Sequence, residues 1–143
     1  MIDNQKRIKS ALYVILFLVL VAWVRIGWVM FYPYGPVTIH SSRILNDKVL
    51  AGQEVIVEVC FTKHLSVSCT VNRNLIGDVV FFFPSHDSDA PVGRQTTMFS
   101  VMIPPFIQPG EYLLSTTYDY TVSRFPERHV LVNWKTEKFT VVK

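Results

Sequence analysis

Two kinds of hydrophobic pattern divide the chain near residue 33. Residues 11–32 form an apolar and aromatic run in which Arg25 is the one charged residue. Beyond this run, hydrophobic residues alternate with polar ones in short stretches that turn residues separate. Continuous apolar runs are typical of transmembrane helices, and alternation with a period of two is typical of half-buried strands. The sequence therefore predicts a membrane helix followed by a β-domain.

The predicted transmembrane helix spans residues 11–32. As an α-helix these residues rise roughly 33 Å, which suits a hydrocarbon core of about 30 Å. Pro33, Gly35 and Pro36 end the helix and form a linker over residues 33–36. Arg25 either extends its guanidinium to the headgroups or pairs with an acidic group of another helix. A cleavable signal peptide is the alternative to an anchor, but the stretch after Val24 lacks a small-residue cleavage site.

The residues that flank the apolar run predict its orientation. Residues 1–10 contain Lys6, Arg7 and Lys9, and basic residues beside a span favour the cytoplasmic side. Aromatic residues crowd the other end of the run, as they do at a membrane interface. We therefore expect the C-terminal domain, residues 37–143, to lie outside the cytoplasm, in the periplasm of a bacterium or in the extracellular space.

Seven strands are predicted after the linker, and no helical pattern of ten residues occurs there. Antiparallel sandwiches are typically built from about seven short strands in about 100 residues. The sequence thus predicts a mainly β fold, an immunoglobulin-like antiparallel β-sandwich preceded by one N-terminal transmembrane helix. The predicted strands are Val37–Leu45, Gln53–Thr62, Val67–Leu75, Val79–Phe83, Thr96–Ile103, Glu111–Val122 and His129–Val142.

A short motif supports the immunoglobulin-like prediction. Pro109, Gly110 and Tyr112 stand at the start of the predicted strand Glu111–Val122. This arrangement resembles the tyrosine corner of immunoglobulin-like and fibronectin-type-III-like domains, in which the phenol bonds to upstream backbone. The antibody hallmarks are missing, because Leu114 stands where the second cysteine would be. The resemblance is therefore to the broad class of such domains.

The chain also resembles a group of small bacteriophage-encoded proteins with one N-terminal membrane span. The matching pieces are Val59-Cys60, residues 109–112, Arg124 with Arg128, and residues 136–141. That group has no established activity. The resemblance therefore implies a phage context at the membrane of a bacterial host and implies no mechanism.

The charge distribution argues against a nucleic-acid partner. The formal net charge of +3 comes from the first 25 residues, whereas residues 33–143 contain ten basic and ten acidic residues. Binding to nucleic acid requires a clustered basic surface. The sequence therefore predicts a membrane-bound protein whose β-domain is electrically balanced.

Cys60 and Cys69 lie at the end of one predicted strand and the start of the next. Extracytoplasmic domains keep disulfides, so these cysteines are a candidate disulfide, with two buried free thiols as the alternative. Strand parity is the argument against a bridge. Cys60 shares a face with Glu58, whereas Cys69 shares one with Val67.

The sequence contains little that predicts chemistry. The four histidines are scattered singly, and no nucleophile-elbow, phosphate-loop or helical zinc motif occurs. The stretch from residue 85 to 89 contains Asp87 and Asp89, but it lacks the further ligands of a calcium loop, so we expect a solvated turn. We predict no enzyme activity, no catalytic residue, no cofactor and no metal.

Two apolar features could contact a partner. Val79–Phe83 is either a central strand buried on both faces or an exposed patch, in which case Phe81, Phe82 and Phe83 offer a partner surface. In the closing strand, Trp134 and Phe139 indicate core, while an open edge there could accept a strand from another chain.

The resulting prediction is a single-pass, membrane-anchored, non-catalytic binding or scaffolding module at the bacterial envelope. Its expected partner is an envelope or phage protein, and its oligomeric state is left open. A structural virion component is one alternative function, and an envelope enzyme or lysis factor is another.

Overall fold

The computed structural model describes the backbone of residues 2–143 and the side chains of these residues other than 2–4 and 7. Met1 and the side chain of Arg7, which belong to the predicted cytoplasmic segment, lie outside the described residues. The chain forms two compact units. The first contains Met1–Pro33 with Ser123–Arg128, and the second contains Tyr34–Val122 with His129–Lys143.

Helix α1 spans Ile2–Phe31, so it begins within the predicted cytoplasmic segment. Residues 2–10 contain no glycine or proline that would interrupt a helix. The helix ends two residues before Pro33, since the residue that precedes a proline disfavours helical backbone. Its stretch Ile8–Phe31, 24 residues long, is apolar and long enough to cross a membrane. Most side chains along this stretch are exposed.

The second unit consists of strands in two sheets. A three-stranded antiparallel sheet has the order β1-β3-β7, and a seven-stranded sheet has the order β2-β10-β8-β4-β5. In the larger sheet, β6 pairs with β4, β9 pairs with β8, and β2 runs parallel to β10. The strands are β1 (Val37–Ile44), β2 (Lys48–Leu50), β3 (Glu54–Lys63), β4 (Cys69–Ile76), β5 (Val80–Phe82), β6 (His86–Ser88), β7 (Gly93–Met102), β8 (Gly110–Arg124), β9 (Glu127–Lys135) and β10 (Phe139–Val142).

The larger of two apolar clusters in the β-domain lies between the two sheets, and a smaller one contains Val37, Val71 and Tyr120. Alternation along β3 buries Val55, Val57 and Val59, and these residues join the same cluster as Leu75 and Leu114 of the larger sheet. The prediction of a mainly β chain with one N-terminal apolar helix is confirmed at this level.

Three sequence expectations about strands need correction. The predicted strand His129–Val142 is two strands, because the backbone at Thr136 leaves β9 and bonds to Leu114 instead. The predicted solvated turn at residues 85–89 contains β6, which pairs with β4, although Asp87 and Asp89 are exposed as expected. Strand β2 was not predicted, since three residues are too few to show alternation.

Tyr112 forms a hydrogen bond of the tyrosine-corner type. Its Oη donates to the carbonyl oxygen of Gln108 at 2.9 Å, and its ring is buried. The ring lies against Gly77, where an added Cβ would come within 2.4 Å of the Tyr112 ring carbon Cδ1. Glycine is required at residue 77 because the hydrogen bond to Gln108 holds the ring in place.

We expect the substitution Gly77→Ala to lower the free energy of unfolding by about 1–3 kcal/mol, because the added methyl overpacks the Tyr112 ring. Chemical denaturation of the full chain in detergent micelles, followed by circular dichroism, measures this change. Gly35→Ala is the matched control, since a Cβ at Gly35 meets nothing within 4 Å. Equal stability of the two variants would contradict the proposed restraint on the ring.

Candidate functional site

The C-terminal end of α1 receives a positive charge from a distant part of the chain. The helix has no basic residue in its last turn. Instead, Arg128 at the tip of the β8–β9 hairpin donates from Nη1 to the carbonyl oxygen of Val29 and, at 2.7 Å, to that of Tyr32. Carbonyl groups in the last turn of a helix have no partner within the helix, and a cation there also stabilises the helix dipole.

Aromatic and basic side chains surround this helix end. Trp28 and Tyr32 stack with ring centroids 4.9 Å apart. The hairpin tip adds Arg124, which is exposed, and Phe125, whose side chain is 81% exposed. Aromatic rings and basic groups of this kind are typical of membrane–water interfaces.

The predicted partner surface lies at the edge of the larger sheet. Strand β5 pairs with β4 on one side, and Phe82 is 69% exposed, so the interpretation of Val79–Phe83 as a central buried strand is wrong. Phe81 and Phe83 turn towards the core and are partly buried. The exposed apolar residues of this region, here called the β5 surface, are Val79, Val80, Phe82 and Phe106.

Only the second half of the predicted closing strand, β10, is paired on both of its edges. Strand β10 pairs with β2 on one side and with β8 on the other. Trp134 and Phe139 are both buried in the main core, in agreement with the first of the two interpretations. Strand addition at β10 is therefore excluded, whereas β9 pairs with β8 alone among the described strands and keeps one open edge.

A second site, which sequence analysis missed, is a cavity of about 230 Å³ here called the inter-sheet cavity. The aliphatic and aromatic part of its lining comes from both sheets. Its lining also contains Lys63 and Arg73, which are basic. Because the exposed residues His86 and Thr97 belong to the lining, the cavity is open to solvent.

Lys63 is nearly completely buried at the end of β3, with 2% of its side chain exposed. Its Nζ donates to the carbonyl oxygen of Ala90 at 2.6 Å. Among the described residues, the carboxylate nearest to it is that of Asp89, at 3.9 Å, and the Asp89 side chain is almost fully exposed. A hydrated carboxylate at this distance compensates a buried cation only in part.

Arg73 lies on the inner face of β4, between Val71 and Leu75. Its guanidinium carbon is 4.1 Å from the centre of the Phe99 ring on the opposite sheet. Its Nη1 is 3.4 Å from Nε2 of His86, while its Nε is buried and has no acceptor among the described residues. Burial lowers the pKa of Arg73, and burial together with the nearby Arg73 charge lowers the pKa of His86.

Strand parity was the signal that could have revealed these two cations. Lys63 follows Val59 and Phe61 at every second position, and Arg73 stands between Val71 and Leu75 in the same manner. Side chains two residues apart share a face of a strand, so both basic residues had to face the core.

The two predicted disulfide cysteines are free, and they lie in different sheets. Cys60 pairs with Thr96 on β7 and faces outward, whereas Cys69 is buried and its Sγ lies 3.7 Å from the carbonyl oxygen of Ser88. Because packed sheets are about 10 Å apart, cysteines on different sheets that face different sides cannot bridge. The disulfide prediction is therefore not supported, because the Cys60 side chain faces outward and the Cys69 side chain faces inward.

The environments of the two thiols differ. Hydrogen bonds from Arg94 and Thr96 lower the pKa of the Cys60 thiol. Burial raises the pKa of the Cys69 thiol. The thiolate is the reactive form of cysteine, so Cys60 is the more reactive of the two.

The histidines bind to neighbouring side chains. Nε2 of His64 lies 2.9 Å from Oγ1 of Thr38, and Nδ1 of His129 lies 2.8 Å from a carboxylate oxygen of Asp119. In the part of the chain that the structure describes, no group of three or more His, Cys, Asp or Glu side chains could hold a metal ion.

We expect a maleimide to label Cys60 without prior reduction, while Cys69 reacts only after unfolding. Replacing Arg94 with glutamine should slow the labelling of Cys60 near neutral pH, because the thiol pKa rises and the thiolate fraction falls. The difference should disappear above the ordinary thiol pKa of about 8.5. Mass spectrometry of a labelling time course measures both rates, with Lys48→Gln as the control. Labelling that begins only after reduction would contradict two free thiols.

Comparisons with known proteins do not assign a family. No family model and no curated protein matches this sequence. Among solved structures, the chain is similar to a β-glucosidase from Erythrobacter marinus (11% identity, TM-score 0.46, 74% of this chain and 15% of that chain) and to a β-glucosidase from Listeria innocua in complex with glucose (12%, 0.40, 76% and 17%). The chain thus spans less than a fifth of these enzymes. At TM-scores below 0.5 they carry no argument about its fold or its activity.

Proposed function

We propose that this chain is a single-pass membrane protein that presents an immunoglobulin-like domain at the outer face of a bacterial inner membrane and binds a partner protein there without catalysis. The observation that carries the proposal is the exposed apolar surface of Ile8–Phe31. Hydration of apolar surface costs about 25 cal/mol per Å². A helix that exposes Leu, Val, Phe and Trp along 24 residues is therefore far more stable in lipid than in water.

The hydrogen bonds of Arg128 support an interface at the end of the helix. Backbone carbonyls without partners are unfavourable in hydrocarbon, so the last turn of a membrane helix needs donors. Arg128 supplies donors to Val29 and Tyr32 at the level where the apolar stretch ends. In the proposed arrangement, Phe125 and Arg124 on the same hairpin tip contact the headgroup region.

The strand order supports the immunoglobulin-like part of the proposal. We count the strands in chain order without the short β2 and β6. The smaller sheet then contains the first, second and fifth strands, β1, β3 and β7, as neighbours. The larger sheet contains the third and fourth strands, β4 and β5, and β4 lies next to β8 of the β8–β9 hairpin. Immunoglobulin-like sandwiches also divide their strands between two sheets, although the constant-type domain places its fourth strand with the first, second and fifth, and the Tyr112 hydrogen bond occupies the corresponding corner.

The β5 surface is the proposed contact with the partner protein. Phe82 and Phe106 are exposed aromatic residues, and such residues are enriched in the buried centres of protein interfaces. Strand β5 also offers one unpaired edge, which could add a strand of the partner. A membrane anchor raises the effective concentration of the domain for a partner in the same membrane, so a modest affinity is sufficient. The resemblance to phage-encoded proteins suggests that the partner belongs to the envelope of an infected cell.

Spin labels in lipid nanodiscs test the anchor. In a background without native cysteines (Cys60→Ser, Cys69→Ala), we expect a label at Leu16→Cys to be accessible to oxygen and protected from an aqueous nickel complex. A label at Phe125→Cys should report the headgroup region. Leu131→Cys, an exposed position on β9, is the control in water. A Leu16 label as accessible to nickel as the Leu131 label would overturn the membrane anchor.

Photocrosslinking in cells tests the partner surface. We expect benzoylphenylalanine in place of Phe82 to crosslink to one membrane or extracytoplasmic protein, while the same group at the control position Leu131 does not. A second substitution, Phe82→Asp, should abolish crosslinking by benzoylphenylalanine placed at Val80, which lies on the same face of β5, and leave the circular dichroism spectrum unchanged. Equal crosslinking from positions 82 and 131, or capture of a cytoplasmic protein, would contradict the proposal.

A further inference from the structure

The inter-sheet cavity contains two cations whose charge the described chain does not neutralise. Lys63 has a carbonyl oxygen and a distant, solvated carboxylate as partners, and Arg73 has a histidine nitrogen and an aromatic ring. Buried charges are normally paired with an opposite charge, since their desolvation costs several kcal/mol per ion. The positive charge in the cavity therefore favours the binding of an anion.

The neighbouring groups strengthen this preference. Burial and the nearby Arg73 charge lower the pKa of His86, so its ring is neutral at physiological pH. Burial raises the pKa values of Tyr118 and Tyr120, so their hydroxyl groups keep their protons and add no negative charge. Asp87 accepts a hydrogen bond from Thr70 and Asp89 lies 3.9 Å from Lys63, but both carboxylates are exposed, so neither is buried with the cations.

The other residues that line the cavity determine the size and polarity of the uncharged part of a ligand. Val59, Phe61, Val71 and Phe99 are apolar, and they line the same cavity as the two cations. At about 230 Å³ the cavity lies below the range of about 300–1,000 Å³ that is usual for drug-sized ligands. It therefore suits a small molecule with one charged end and one apolar end.

We propose that the inter-sheet cavity binds a small organic carboxylate with an aromatic or aliphatic body, the carboxylate facing Lys63 and Arg73 and the body lying against the apolar walls. Arg73 offers the positive charge of its guanidinium to the carboxylate, and Lys63 supplies a second positive charge. The apolar body replaces water between the two sheets. This site lies wholly within the β-domain, so the inference does not depend on membrane insertion or on the β5 surface.

Isothermal titration of the full chain in nanodiscs tests the site, with 3-phenylpropionate and octanoate as probes. Both should bind saturably, and 3-phenylpropanol and 3-phenylpropylamine should bind at least about tenfold more weakly, as expected when a hydrogen bond to a charged group is lost. The absence of saturable binding by both carboxylates at millimolar concentration would overturn the proposal. Equal affinity for the alcohol would overturn it as well.

Two variants locate the binding site. Arg73→Met and Lys63→Met remove the charges but keep an unbranched, flexible side chain, and each should weaken carboxylate binding by about tenfold or more. Replacement of a buried ion by an apolar residue of similar volume is often tolerated, so both variants should fold, which circular dichroism checks. Arg43→Met, on the exposed face of β1, is the control and should bind as the unmodified chain does. Unchanged affinity in either folded cavity variant would contradict the assignment.

Discussion

The alternation of side chains across the two sheets is the constraint on which the β-domain depends. Each strand offers every second residue to the space between the sheets, and backbone pairing leaves no freedom to turn a single side chain outward. This constraint brings Val55, Val57 and Val59 together with Leu75 and Leu114. It also places Lys63 and Arg73 inside, and it separates Cys60 from Cys69. The core, the candidate ligand site and the absence of a bridge between these thiols therefore have one physical cause.

A different constraint acts at the end of α1, where backbone polar groups need partners. A helix that ended freely in water would have its last carbonyls solvated, and it would need no cation from elsewhere. Here the donors come from Arg128, 96 residues further along the chain than Tyr32. The hairpin tip, Ser123–Arg128, brings these donors to the helix end within the first unit.

Much of the fold could be predicted from local patterns, because the spacing of apolar residues indicates which side chains must be removed from water. The apolar run predicted α1, alternation predicted the long strands, and Pro109, Gly110 and Tyr112 predicted the corner bond. Pairing partners could not be predicted in this way, since the apolar sequence of Val79–Phe83 is compatible both with a central strand and with an edge strand. The inter-sheet cavity was missed for another reason. The sequence places Lys63 and Arg73 on the inward faces of their strands, but no known motif consists of single cations at core positions.

Lys63, which is buried, and Arg73, which is half-buried, are informative because their positive charges are unfavourable for folding on their own. An apolar residue at position 73 would stand between the two apolar clusters to which Leu75 and Val71 belong, and it would remove the desolvation cost of the guanidinium. Stacking on Phe99 offsets a part of that cost, since cation–π contacts contribute about 0.5–2 kcal/mol. The unpaired Nε remains uncompensated by any described protein group. An anionic ligand in the cavity would reduce the electrostatic imbalance, because it supplies the negative charge that the strands cannot provide without placing a carboxylate in the core.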